Sequence, residues 1–185
     1  MRSSSVCELS QGRSSGGVKN QARKVFEKYY ADDAFLPEIE PGEDFSRYLN
    51  LAANTFDERM VKYVLDSLVQ SFYQIGDDRK FAKLEFDGTL LGFCGVYRQL
   101  SMPRHFGFAD WMCVSRDGPK HASPLLFRAM ISLARSMGIT RLIMEVTDSS
   151  HAVTSSLDRL GIARIGTIHD VYGPGLHIHQ YLFEI

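Results

Sequence analysis

At 185 residues, with 44% apolar and 23% charged side chains, the chain suits one globular domain with a sizeable core and not a largely disordered chain. A net charge of −1 argues against a general nucleic-acid binder, and there is no run of about 18 apolar residues to span a membrane. Cys7, Cys94 and Cys113 share no metal-like spacing, and the N-terminus carries no apolar signal run, so free thiols and a cytoplasmic location are expected.

Residues 1–17, rich in Ser, Gly, Gln and Arg, read as a flexible leader, and residues 18–185 as a single domain. Val18, Ala22, Val25, Phe26 and Tyr29 fall at helical spacing over Val18 to Tyr30. Pro37 and Pro41 interrupt that pattern, and Asp44 then caps a short helix around Phe45 to Leu51. Thr55-Phe-Asp-Glu58 fits a capping box and starts a long helix whose face is Met60, Val64, Leu65, Leu68 and Phe72. Gly76 ends this helical part, residues 18–76.

The period then changes to two. Lys80 to Phe86 alternates as a strand, Asp87-Gly88 makes a hairpin turn, and Thr89 to Gln99 pairs back. Gly92 and Gly95 inside that second strand predict a bulge or a close backbone approach. Phe106 to Val114 is an apolar strand, followed by a polar loop. Ser123-Pro124 opens an amphipathic helix, Leu125 to Met137, closed by Gly138. Thr140 to Val146 is a buried strand, and Asp148-Ser-Ser caps a helix from His151 to Leu160. Strands at Ile162 to Tyr172 and Leu176 to Ile185 flank a Gly-Pro-Gly turn. The order predicts an α/β fold: a mixed sheet of six to seven strands with helices on both faces.

A strand that turns through Gly and Lys into a helix N-terminus offers unpaired amides and a positive dipole end, an anion site. Asp110, alone in an apolar strand, is either a buried base with a raised pKa or a carboxylate in a salt bridge. Glu145 is a second base, or simply faces solvent. His177 and His179 share one strand face at a metal-compatible spacing, yet no third ligand accompanies them, so metal-free histidines are favoured, as at His169-Asp170. Trp111, Phe106 and Phe108 read as core packing or the wall of an apolar tunnel, and Arg128 and Arg135 as a solvated face.

From about residue 80 onward this order resembles the Gcn5-related N-acetyltransferase (GNAT) superfamily. Its loop pattern, Gln/Arg-x-x-Gly-x-Gly/Ala, falls on Asp117-Gly118-Pro119-Lys120-His121-Ala122. Ala122 and Gly118 fit, whereas Asp117 replaces the first polar residue and Lys120 the first glycine. The helix pattern Asn-x-x-Ala-x-x-x-Tyr-x-x-x-Gly-Phe becomes Ser150, Val153, Leu157, Gly161 and Ile162, with Leu157 where many members carry the Tyr that protonates the leaving thiolate. The resemblance implies acetyl-CoA or acyl-CoA as co-substrate, no metal, and direct attack by a small-molecule or peptide amine. It implies that Gly118, Lys120, His121, Ala122 and Ser123 hold the pyrophosphate, and that amides at Met112, Cys113 and Val114 polarise the thioester. Asp110 would be the base, with Ser156 or Tyr172 as the thiolate acid. Trp111-Met-Cys-Val-Ser115-Arg116 is similar to a segment of the acyl-homoserine-lactone synthases, which use acyl carrier protein; there Arg128 and Arg135 would meet the acidic carrier. Leu126-Phe127, Ala134, Gly138-Ile139 and Arg164-Ile165-Gly166 carry the same likeness. A catalytically silent GNAT fold that senses a ligand or binds a protein is the alternative of another class, and a homodimer is open.

Overall fold

The structure, a computed structural model, describes residues 36–119 and 121–185, without the side chains of Ala152 and Ser156. The predicted leader, the Val18 to Tyr30 helix and Lys120 lie outside the described residues. In chain order come α1 (Ser46–Thr55), α2 (Glu58–Tyr73), β1 (Arg79–Phe86), β2 (Thr89–Tyr97), β3 (Phe106–Val114), α3 (Ala122–Ser136) and β4 (Arg141–Thr147). A single 3-10 turn, Asp148–Ser150, leads into α4 (His151–Arg159), and β5 (Ala163–Ile168) and β6 (Ile178–Glu184) close the chain. The sheet has six strands in the order β1-β2-β3-β4-β6-β5. Every pairing is antiparallel except β3 with β4.

Strand alternation sorts the apolar residues into two layers. Leu84, Val96, Leu142 and Met144 face α3 and α4, where Leu126, Met130, Leu133 and Leu157 cover them. Phe81, Phe93 and Cys113 face the opposite way, against Tyr48 of α1 and Met60, Val64, Leu68 and Phe72 of α2. Burial of each such side chain contributes roughly 1.5–3 kcal/mol. This is the mixed sheet with helices on both faces that the sequence predicts.

Helix ends differ from the predicted ones, each for a local reason. Asp44 does serve α1, accepting from the Ser46 N–H at 3.0 Å, but α1 continues to Thr55. Thr55 does not cap α2, because its hydroxyl donates back to the Leu51 carbonyl at 2.8 Å. Asp57 is the cap, accepting from the Arg59 N–H at 3.0 Å. α3 begins at Ala122 with His121 at the cap position. Its first i→i−4 bond is from Leu125 N–H to the His121 carbonyl, so Pro124 sits where no intrahelical donor is needed. Asp148 caps nothing: its carboxylate accepts from the His177 N–H and from the His179 ring across on β6.

The feature that matters for function is a bulge. Cys94 pairs with Met112 and Val96 with Ala109, so Asp110 and Trp111 together stand opposite Gly95. Both therefore turn to the α2 face: Trp111 packs against that layer, while Ala109 and Met112 pack against the other. The Asp87-Gly88 turn, with φ of 48° and 74°, is the predicted hairpin. Beyond the bulge β3 parts from β4. Their register runs through only Phe106↔Arg141, Gly107↔Leu142 and Phe108↔Ile143, and a wedge opens toward Val114 and Thr147.

Gly95 has no side chain because the Phe81 ring fills that place: a Cβ there would lie 2.4 Å from ring carbon Cε1. Phe81 is fully buried and cannot swing aside. Gly95→Ala should lower stability by about 1–3 kcal/mol through overpacking, a fall in Tm of about 2–4 °C per kcal/mol, as thermal unfolding would measure.

Candidate active site

A cavity of about 280 Å³ occupies the wedge between β3 and β4. Met130, Met144 and Val153 line it from the α3/α4 layer, and Tyr63, Ser67 and Ser71 of α2 from the other. One space thus crosses the sheet and opens to both layers. The α2 residues recur every fourth position, which aligns them in one stripe beside the buried stripe of Val64, Leu68 and Phe72.

Asp110 and Arg79 form the floor on the α2 side. Arg79 Nη1 donates to Asp110 Oδ2 at 2.8 Å and also to the Ser71 hydroxyl. Asp110 Oδ1 accepts the Trp111 N–H at 2.9 Å, the amide that the bulge removes from the ladder. Its side chain is 7% exposed and that of Arg79 is 17% exposed. The Arg79 guanidinium lies 4.5 Å over the Tyr97 ring, which stacks on Phe108 at 5.3 Å. Burial pushes the Asp110 carboxyl above the usual aspartate range, although Arg79, the Trp111 amide and Ser71 pull the other way.

Aromatic side chains make the walls. Trp111 Nε1 donates to Ser67 Oγ at 3.1 Å, which fixes the indole. Tyr172, in the loop before β6, lines the cavity with its ring 5.1 Å from that of Tyr63. Burial, together with Tyr63 and Glu145, pushes the Tyr172 phenol up to about 12. Glu145 also lines the cavity and accepts from Gln180 Nε2 at 2.8 Å.

The other predicted site residues separate into two groups. Ser115 N–H donates to the Leu91 carbonyl at 2.8 Å. Alternation along β3 then puts the Cys113 amide toward β2 and those of Met112 and Val114 toward the wedge. Cys113 thus leaves the set of candidate thioester-polarising amides, and its thiol, raised by burial, is packed among α1 and α2. In the loop before α3, the Gly118 N–H donates to the Ser115 carbonyl at 3.0 Å and the Ala122 N–H to the Pro119 carbonyl at 2.9 Å. These two amides are spent on the turn itself and are withdrawn from the predicted pyrophosphate donors. His121 and Ser123 stand at the start of α3. Leu157, at the position of the familial Tyr, is buried in the core, while Ser150 and Val153 of the same segment reach the cavity.

The histidines of β6 are held by neighbours. His179 bonds Asp148 through Nε2, and its Nδ1 lies 3.0 Å from the Thr167 hydroxyl; His177 Nδ1 accepts the Asp170 N–H at 3.2 Å. Among the described residues no group of three His, Cys, Asp or Glu side chains could hold a metal ion. Sequence reasoning missed Arg79, Tyr63, Ser67, Ser71 and Tyr97. An Arg at the start of a strand and a polar stripe on a helix both look like solvent-facing positions.

No protein-family model matches this sequence, and no curated protein matches it either. Solved structures do. An acetyltransferase of the GNAT family from Streptococcus pneumoniae superposes with a TM-score of 0.59 at 16% identity, covering 80% of this chain and 98% of that one. Aminoglycoside 6'-acetyltransferase type Ii gives a TM-score of 0.63 at 13% identity over 82% of this chain and 97% of its own. A GNAT family acetyltransferase from Elizabethkingia anophelis with acetyl-CoA bound gives 0.59 at 9% identity over 80% and 96%. With the parted β3 and β4 and the helix pair on each face, these matches make the chain a divergent example of the GNAT fold.

Proposed function

We propose that this protein is an N-acyltransferase that moves an acetyl or longer acyl group from an acyl-CoA thioester to an amine. One observation carries the reading: a single cavity crosses the sheet where β3 parts from β4, joining an ionisable cluster on the α2 side to the α3/α4 side. A thioester arm entering from the α3 side would lie along β3, within reach of the Met112 and Val114 amides. Its phosphates would lie near the N-terminus of α3, at His121 and Ser123.

The chemistry needs a neutral amine, a polarised carbonyl and a protonated leaving thiolate. Asp110 takes the first proton of the ammonium. The nitrogen lone pair then forms the N–C bond, and the oxyanion is held by backbone amides of β3. The C–S bond breaks with its electron pair on sulfur, Tyr172 or Ser156 gives that sulfur a proton, and the donor regains one from the new amide nitrogen. Ammonium and thioester thus give amide, thiol and one free proton. The Tyr172 phenol is protonated at neutral pH with or without its upward shift to about 12, which itself makes it the weaker acid.

A second reading follows from the loop. With the Gly118 and Ala122 amides engaged internally, the grip on a pyrophosphate is reduced. A donor carried by acyl carrier protein, whose pantetheine bears a single phosphate, fits that loop as well.

Asp110→Asn should lower kcat at least about 10²-fold and remove an acid limb of the pH–rate profile that lies above the ordinary aspartate range. It should also destabilise the fold by on the order of 3 kcal/mol, because Arg79 loses its counter-charge. The double variant Asp110→Leu/Arg79→Met should regain that stability without regaining turnover. Acetyl-CoA at 100 times its dissociation constant should add about 2.7 kcal/mol to stability, read as a rise in Tm. A rise with acyl carrier protein thioester but not with acetyl-CoA would select the second reading.

A further inference from the structure

The acceptor side of the cavity has a composition that narrows the substrate class. From its walls we infer that the acceptor is a primary amine with a single positive charge on a flat apolar body, an arylalkylamine, its ammonium drawn by Glu145 into the cavity that Asp110 shares and its ring among Tyr63, Trp111 and Tyr172. This rests on the acyl-transfer reading above.

Charge comes first. Arg79 and Asp110 neutralise each other at 2.8 Å, so their pair leaves no net charge on the floor. Glu145 differs: its partner is the neutral amide of Gln180, and among the described residues no cation pairs with it. Its charge adds to burial and Asp110 in raising the Tyr97 phenol, and to burial and Tyr63 in raising that of Tyr172. Glu145 is itself exposed to solvent, so it sets one unpaired negative charge at the open side of the cavity it lines, which suits one ammonium.

Shape comes second. Tyr63 meets Trp111 at 6.4 Å and 71°, and Tyr172 at 5.1 Å and 61°, while Phe56 meets Trp111 at 5.5 Å and 81°. These rings pack edge to face with one another, and all four line the cavity. Aromatic walls beside a carboxylate favour a cation with an apolar body. The cavity of about 280 Å³ is at the small end for ligand sites, and the acyl end of the donor must share it. A polyamine or amino sugar would bring further ammonium groups with no carboxylate to meet them. A free amino acid would bring a carboxylate next to Glu145, with Arg79 already engaged by Asp110 and Ser71 and covered by Tyr97.

The test uses the full chain and whichever thioester, acetyl-CoA or acetyl carrier protein, raises its Tm. Thiol release is followed with 2-phenylethylamine, tryptamine, spermidine, an aminoglycoside and free phenylalanine. The arylalkylamines should exceed the other acceptors at least about 10-fold in kcat/KM. Glu145→Gln, which keeps a hydrogen-bonding partner for Gln180, should raise KM for the amine about 10-fold or more with kcat changed less than about threefold. Tyr63→Ala, at a helix position 56% exposed, should raise KM in the same way, with thermal unfolding checking that the fold is kept. Thiol release that is fastest with spermidine, the aminoglycoside or phenylalanine, or a KM indifferent to both substitutions, overturns the acceptor class and leaves the transferase standing. Absence of thiol release with every amine, or of stabilisation by either donor, overturns both.

Discussion

Between its pairings with Cys94 and Val96, β3 carries one residue more than β2, and the site descends from that mismatch. In a regular strand Asp110 and Trp111 would face opposite layers. With the bulge they share the α2 face, where Arg79, Ser67 and Ser71 meet them. The amide displaced from the ladder, that of Trp111, is taken up by the Asp110 carboxylate, so the bulge satisfies its own lost hydrogen bond. Gly95 completes the device by leaving the space opposite the bulge to the Phe81 ring. The strand leaves the bulge on a course away from β4, and the wedge is the result.

Electrostatics then bias the opening. Asp110 is almost wholly shielded from water, and although Arg79 lies at 2.8 Å, its carboxyl stays above the usual range. Burial therefore outweighs the attraction of the partner, as is common for ion pairs taken out of water. An apolar pair of similar shape would hold the two strands at least as well, so stability alone gives no reason for these charges. A carboxylate kept ionised by one neighbour yet made more basic by burial is suited to exchanging a proton. The same low-polarity setting raises the phenols of Tyr97 and Tyr172. Burial thus raises the proton affinity of the Asp110 carboxylate and of both phenols alike.

The sheet was legible from the sequence because its signals are local. Alternation from residue 80 to 86, the Asp87-Gly88 turn and Gly138 with φ of 73° after α3 all appear where residue chemistry puts them. Helix starts were less legible, since Thr55 and Asp57, or Ser123 and His121, compete for the same role, and the choice depends on contacts made far along the chain. Thr55, for example, lies 3.3 Å from the Val114 carbonyl of β3 as well as bonding its own helix. Of the site, Asp110 and Tyr172 could be singled out, the first because a lone carboxylate interrupts an apolar strand. Arg79 could not, because its partner is 31 residues away and the parity that brings them together is set by the bulge. The stripe of Tyr63, Ser67 and Ser71 reads as solvent-facing until a cavity is known to lie against it.

The loop before α3 limits how tightly an anionic donor can be held. In a glycine-rich loop the chain can turn with its amides pointing outward, since no Cβ restricts the turn. Here Gly118 and Ala122 instead close two successive turns onto Ser115 and Pro119, and a Cβ on Gly118 would lie 2.9 Å from the Ser115 carbonyl oxygen. Such a turn is compact and self-satisfied, and what it retains for an anion is the start of α3 itself. Affinity for a donor would then come less from the phosphates than from the pantetheine arm along β3 and the acyl group in the cavity. Arm and acyl group are common to coenzyme A and to acyl carrier protein, so an acyltransferase built this way discriminates donors chiefly by what its outer surface can dock. On the proposed acyl-transfer reading the chemistry, in contrast, would be set by the bulge, whichever carrier delivers the thioester.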